Sequence, residues 1–185
     1  IVAIPDTQFY TSSYNGGSPA IFQKQVDWIV ANQGPLNIVL ASHLGDIVDH
    51  GAWNPIEYTH ASNIWKTMVD STLTWDLLPG NHEGYGTGWV YNYSNLQNYN
   101  RAFPVSIFQG KSWFGGSFPA GTTNNSYVLF SSGGLDFLNI SIGCLGFNGT
   151  AIDSQSMAWV NSILDKYPNR KAILSTHNYL REGGY

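Results

Sequence analysis

Charge is scarce in this sequence. Lys, Arg, Asp and Glu make up 11% of its 185 residues, against roughly 25% in ordinary soluble domains. Polar surface must then come from Asn, Ser, Thr, Gly and Tyr, a composition that points to a secreted or extracytoplasmic protein. Only eight residues are Lys or Arg and the formal net charge is −4, which argues against broad electrostatic binding to duplex nucleic acid. Long apolar runs are missing too: none approaches the roughly 18 to 20 residues of a membrane span. The one cysteine, Cys144, excludes an intrachain disulfide framework. Set in the apolar run from Leu138 to Leu145, it reads as a small buried strand residue. No repeat, low-complexity tract, interdomain linker or signal peptide is visible. The length suits a single domain with a sizeable core. The chain opens on strand-like residues at Ile1 rather than on Met, so either an N-terminal segment was removed or the chain is a fragment.

What the chain does have is alternation of strand and helix patterns in its first half. Ile1 to Ile4 reads as a strand, followed by a Ser/Gly/Asn-rich loop from Thr11 to Ser18. A helix is predicted over Ala20 to Asn32, with Ile21, Val26, Trp28 and Ile29 among its apolar positions, and Gly34-Pro35 ends it. Leu36 to Ala41 is the second strand. Asn54-Pro55, a cap followed by a first-turn proline, opens a helix from Ile56 to Val69. Leu73 to Leu78 is the third strand, ending at Pro79-Gly80. From Gly84 to Gly121 periodicity fades. A short helix is predicted near Leu96 to Phe103, and the rest reads as long loops beside a site. Ser126 to Phe130 and Leu135 to Cys144 form a hairpin through Ser131-Ser132-Gly133-Gly134. Asp153 caps a helix running to about Lys166, with Met157, Trp159, Val160 and Leu164 on or near one face, and Arg170 to Ser175 is the last strand.

Four short polar stretches follow four of these apolar runs: Pro5-Asp6-Thr7-Gln8, Gly45-Asp46-Ile47-Val48-Asp49, Gly80-Asn81-His82-Glu83 and Ser175-Thr176-His177-Asn178. In α/β proteins ligand sites assemble at the carboxyl ends of strands. Carboxylates, amide carbonyls and imidazoles gathered there are the donor set of a divalent-metal site. The acidic members would repel a phosphate unless cations neutralise them, so metal dependence follows on electrostatic grounds.

In order and context these motifs resemble the calcineurin-like metallophosphoesterase family, whose signature is D-x-H, G-D-x-x-D, G-N-H-[DE], a lone His and G-H-x-H. Four of the five are matched between Asp6 and His177, with Gln8 where the family has His. The fifth is absent, which predicts that the sequence stops short of that segment. The resemblance implies a four-layer α-β-β-α sandwich, partial at its C-terminus, in one domain over residues 1–185. It implies hydrolysis of phosphomonoesters or phosphodiesters by a metal-bound hydroxide at a two-metal site. Asp6, Gln8, Asp46, Asn81 and His177 take the metal positions, with Asp46 shared by both ions. His82 takes the catalytic position, oriented by Asp49. The ions are two divalent cations drawn from Mn, Mg, Fe, Zn or Ca. The amide of Gln8 makes the set harder, favouring Mn²⁺, Mg²⁺ or Ca²⁺ over tightly held Zn²⁺.

Glu83 is expected to orient its loop rather than to touch metal. His43 reads as core or as support for the site, His50 as a lesser candidate for the cleft, and His60 as a surface residue. Trp89, Tyr91, Tyr93, Trp113 and Phe114 read first as core and loop packing and second as a substrate wall. Sequons at Asn92, Asn124, Asn139 and Asn148 add weak support for secretion. The alternative to an enzyme is a non-catalytic binding module on a degenerate fold of the same kind, supported by Gln8 and the absent fifth motif. A carbohydrate-binding domain would explain the aromatic content but not the four motifs.

Overall fold

A computed structural model of the chain describes residues 1–84, 96–143 and 154–178. Two sheets carry the fold. The first is parallel: β1 (Val2–Ile4), β2 (Ala41–His43) and β3 (Trp75–Leu77), in that order. The second is mixed: β4 (Phe114–Phe118), β5 (Asn125–Ser132) and β6 (Leu135–Ile142) are antiparallel, and β7 (Lys171–Thr176) joins parallel to β6.

The helices that separate the strands of the first sheet are α2 (Pro19–Ala31) and α3 (Pro55–Asp70). Phe22, Val26 and Ile29 of α2 join Ala61, Ile64, Trp65 and Met68 of α3 in the largest core cluster. On the outer face of the second sheet, Val160 and Ile163 of α6 (Ser154–Lys166) cover Tyr127, Leu138, Ile140 and Ile142. Leu40, Val128 and Phe130 form a third cluster, with Phe137 and Ile173 packed against it. The layers run helix, sheet, sheet, helix, the α-β-β-α sandwich implied by the motifs.

Several sequence expectations need correction. Ile21 and Trp28 lie on the open side of α2, with Trp28 52% exposed, while Phe22 takes the buried position. Met157 and Leu164 are similarly exposed on α6. The second strand begins later than the Leu36–Ala41 run predicts, because Leu36 and Ile38 donate back to Asn32 and Gln33 at 3.0 and 2.9 Å and Asn37 is left-handed. Asn54 does not cap α3 with its side chain; it donates to Glu57 at 2.8 Å instead. Elements that the sequence patterns do not predict include α1 (Gln8–Thr11), a 3₁₀ turn (Val105–Phe108) and β4. The sequence Phe-Gly-Gly-Ser-Phe of β4 lacks strand propensity. Gly115 is needed there, because a side chain would run into the ring of Tyr127. The hairpin turn matches expectation, with Gly133 and Gly134 both at positive φ between paired Ser132 and Leu135. The readings of Cys144, Asp153, Trp89, Tyr91, Tyr93 and the sequons at Asn92 and Asn148 lie outside the described residues. Trp113 and Phe114 pack in the core around Phe108 and Trp75, with Phe108 stacked 4.2 Å from Phe114.

The two sheets also meet through a buried polar cluster. Asp76 on β3 is fully buried. One of its oxygens accepts from Asn139 Nδ2 and from Ser141 Oγ, the latter at 2.9 Å. Ser175 Oγ of β7 donates to Asn139 Oδ1 at 3.0 Å. The sequon residue Asn139 is thus inside the sandwich and is no glycan acceptor in the folded chain. The other Asp76 oxygen, and Ser42 Oγ opposite it in register, lack a bond of ordinary geometry among the described residues. Burial raises the Asp76 pKa, over the opposing influence of the nearby Ser42 hydroxyl and of the Ser141 and Asn139 hydrogen bonds. A raised carboxyl pKa means that the folded chain holds this proton where the unfolded chain has released it. The contribution to stability is present below the ordinary Asp range and lost as pH rises through the folded pKa. Asp76→Asn, which keeps shape and cannot ionise, is expected to flatten the fall in stability with rising pH. Urea melts of both proteins across that range check this, and parallel pH slopes would contradict it.

Candidate active site

Three strand ends of the first sheet and one of the second deliver the site. After β1, Pro5 and Asp6 lead into α1. Thr7 N–H donates to Asp46 O at 2.9 Å, and Thr11 Oγ1 to Ile47 O at 2.9 Å, so the first two motif loops are sewn together. After β2, Gly45 and Asp46 turn with φ of +97° and +51°. A left-handed backbone is ordinary for glycine and tolerated by Asp. After β3, Gly80 leads into a single helical turn, α4 (Asn81–Gly84). The closeness is severe: a side chain on Gly80 would collide with the Asp46 carboxylate. One on Gly45 would lie 2.9 Å from His177 Nδ1 and 2.8 Å from the Gly80 backbone.

Asp6, Asp46 and His177 each offer a ligand atom, and these atoms all lie within 4.8 Å of one another. Asp6 is exposed, whereas Asp46 is buried. His177 Nδ1–H donates to Leu44 O at 2.9 Å and lies 3.8 Å from Asp6. Its Nε2 lies 2.9 Å from Asn81 Oδ1 and 3.2 Å from Asp46 Oδ2. The Leu44 carbonyl thus fixes the ring and aims Nε2 at an amide oxygen and a carboxylate, the donor chemistry of a hard divalent cation. The donors present fit such an ion. Gln8 opens α1 two residues beyond Asp6, mostly buried.

His82 stands beside this cluster. Its Nδ1–H is shared between Asp49 O at 2.8 Å and Asp49 Oδ1 at 3.0 Å, while Nε2 lies 3.9 Å from Asp46 Oδ2. One ring nitrogen is therefore anchored on Asp49 and the other is on the Asp46 side. His82 N–H also donates to Asp46 Oδ1 at 3.0 Å.

The loop carrying Asp46 and Asp49 is held by two buried glutamates. Glu83 accepts from the backbone N–H groups of Asp46, Ile47, Val48 and Gly80 at 3.0, 2.8, 2.9 and 2.6 Å. The expected loop-orienting role agrees with this geometry. Burial first, then the Asp46 carboxylate, pushes the Glu83 carboxyl up to about 8 against the Val48 and Gly80 bonds. Glu57, which sequence reading missed, takes the next two N–H groups, of Asp49 and His50, both at 2.8 Å. Its signal was present: Asn54-x-x-Glu57 has the spacing of a capping box.

The remaining histidines divide by environment. His43 is fully buried; Nδ1 accepts from Gly45 N–H at 3.2 Å and Nε2 meets Thr7 Oγ1 at 3.0 Å. Burial lowers its pKa to about 3 despite Asp46, so it supports the loop as a neutral ring. His50 is turned onto Glu57, with Nδ1 2.9 Å from Oε1. His60 is not the free surface residue expected: it is half-buried and its Nδ1 lies 2.9 Å from Thr11 O, linking α3 to α1.

The family model for calcineurin-like phosphoesterases matches residues 1–185. The chain belongs to the calcineurin-like phosphoesterase family. Over 184 residues it is 34% identical to the uncharacterized protein YvnB of Bacillus subtilis (strain 168), an alignment that covers 99% of this chain and 13% of that protein. The family supports a metal-dependent phosphoesterase in general terms. Among the described residues no helix is long and apolar enough to cross a membrane.

His177 gives the centre a pH dependence. Burial opposes its charge, but the Asp46 carboxylate, the Leu44 carbonyl and Glu83 outweigh it and bring the imidazole up to about 9. A cation can use Nε2 only after that proton leaves. Loading with Mn²⁺ at about neutral pH is therefore expected to release protons, that of His177 first, and affinity should rise with pH up to about 9. Titration calorimetry in buffers of different ionisation enthalpy measures the release. Identical heats in all buffers would contradict it.

Proposed function

We propose that this chain is a single calcineurin-like domain that hydrolyses phosphate esters, mono- or diesters, with two divalent cations held by Asp6, Gln8, Asp46, Asn81 and His177. The observation that carries the reading is the His82–Asp49 pair set against the Asp46 cluster. Bound cations supply charge neutralisation of the phosphoryl oxygens and activation of water. The chain's own residues do the rest. Asp46 presents one carboxylate to the centre, its Oδ1 held by the His82 N–H and its backbone N–H by Glu83. Asp49 orients His82 through Nδ1, which leaves Nε2 to protonate the departing oxygen as its bond to phosphorus breaks. The acidic balance favours a small phosphate ester over duplex nucleic acid as partner. The low charge content favours a secreted or extracytoplasmic location.

Gln8 in place of imidazole supports a second reading, a binding module without catalysis. Assays of the full-length protein on p-nitrophenyl phosphate and bis(p-nitrophenyl) phosphate with Mn²⁺, Mg²⁺, Fe²⁺, Zn²⁺ or Ca²⁺ separate the two, and hydrolysis with none of them favours the binding module. In the enzyme, His82→Ala is expected to lower kcat on the order of 10² to 10⁴-fold while metal stays bound. Asp46→Ala should lose metal and activity together. Metal analysis beside rates decides: if His82→Ala strips metal as fully as Asp46→Ala, His82 is a ligand and the assignment fails.

A further inference from the structure

Glu57 is bonded to Asp49, the supporting member of the proposed catalytic pair. It sits in the first turn of α3, 1% exposed. One oxygen accepts the N–H groups of Asp49 and His50, both at 2.8 Å. The other accepts from Asn54 Nδ2 at 2.8 Å and stands 2.9 Å from His50 Nδ1. All four partners lie between Asp49 and Asn54, and none is a proposed metal ligand. Asp49 in turn holds His82 Nδ1 through two atoms, its carbonyl and its carboxylate. Because the carbonyl bond comes from the Asp49 backbone, a shift of that peptide moves His82 as directly as a change in the Asp49 side chain. The first turn of a helix also favours an acidic side chain.

We infer that Glu57 is a positioning residue for catalysis: it fixes the Asp49 backbone, and through it the angle at which His82 meets the leaving oxygen. This rests on the reading of His82 as general acid. A carboxylate is required because four donors converge on two acceptor atoms. Glutamine offers one oxygen and sets an NH₂ against N–H donors on the other side.

The leaving group supplies a readout that loss of structure alone would not move. A poor leaving alcohol needs its proton, whereas p-nitrophenolate departs without it. In the metal-loaded full-length protein, Glu57→Gln is expected to lower kcat at least ten-fold more on alkyl phosphate esters than on p-nitrophenyl esters. KM and metal content should stay near wild type. Glu57→Asp, which keeps the charge, should fall between, and adding Glu57→Gln to His82→Ala should cost little more than His82→Ala alone. If Glu57→Gln does not fold, Glu57→Asp carries the same comparisons. A uniform loss across leaving groups, loss of metal, or additivity with His82→Ala overturns the inference. A second readout is independent of turnover: the His82 Nδ1 proton, identified by its absence in His82→Ala, should give an exchange-protected nitrogen-coupled NMR resonance that weakens in the Glu57 variant. An unchanged resonance overturns the positioning role even if no ester is cleaved. No hydrolysis by wild type, together with a resonance that weakens in the Glu57 variant, retains the positioning of His82 and sinks only the enzyme reading.

Discussion

Five consecutive backbone N–H groups, from Asp46 to His50, point at two buried carboxylates. Glu83 holds the first three and Glu57 the last two. Buried backbone donors must find acceptors, and this loop has neither sheet nor helix partners to supply them. The two glutamates close that account. They hold Asp46 in its left-handed conformation and set Asp49 where His82 can reach it. Glu83 also grips the Gly80 N–H and belongs to the same helical turn as Asn81 and His82. Motif loops from two strands are thereby locked together by one side chain.

The same arrangement concentrates negative charge. Asp46 lies against Gly80 with no room for a side chain, Glu83 is buried directly behind it, and Asp6 lies across from it. Without a cation the cluster relieves this by proton uptake, with His177 brought up to about 9 and Glu83 to about 8. Bound cations would supply the compensating charge instead. Affinity for metal and the conformation of the loop are thus parts of one electrostatic balance. His43, kept neutral by burial, supports Gly45 and Thr7 without adding to the charge.

The sandwich serves this centre by aligning strand ends. The parallel order of β1, β2 and β3 sends Asp6, Asp46 and Asn81 out of the same end of one sheet. His177 comes from the other sheet, beyond β7, so the relative placement of the two sheets decides whether it reaches Asp46. Packing of Leu40 against Val128 and Phe130, and the Asp76 cluster with Asn139, Ser141 and Ser175, fix that placement. A hydrogen-bonded carboxyl group here is specific where apolar contact alone would allow sliding.

Strand and helix periods, the glycines at turns and the order of four polar motifs determined the architecture and the gathering of Asp6, Asp46 and His177, because these depend on local propensity and on strand direction. The hairpin at Gly133-Gly134 was legible for the same reason. The short helix at Gln8 and the strand at Phe114 were not, since four residues carry no period and the two glycines of β4 are there for the ring of Tyr127. Exposure on α2 was also decided elsewhere: Phe22 rather than Trp28 is covered, because α3 and His43 approach from its side. Above all, Glu57 and Asp76 are acidic residues that composition would place in solvent. Only the tertiary structure shows that one meets backbone donors seven and eight residues away and the other lies between two sheets, because burial of an acidic group depends on partners that sequence distance conceals.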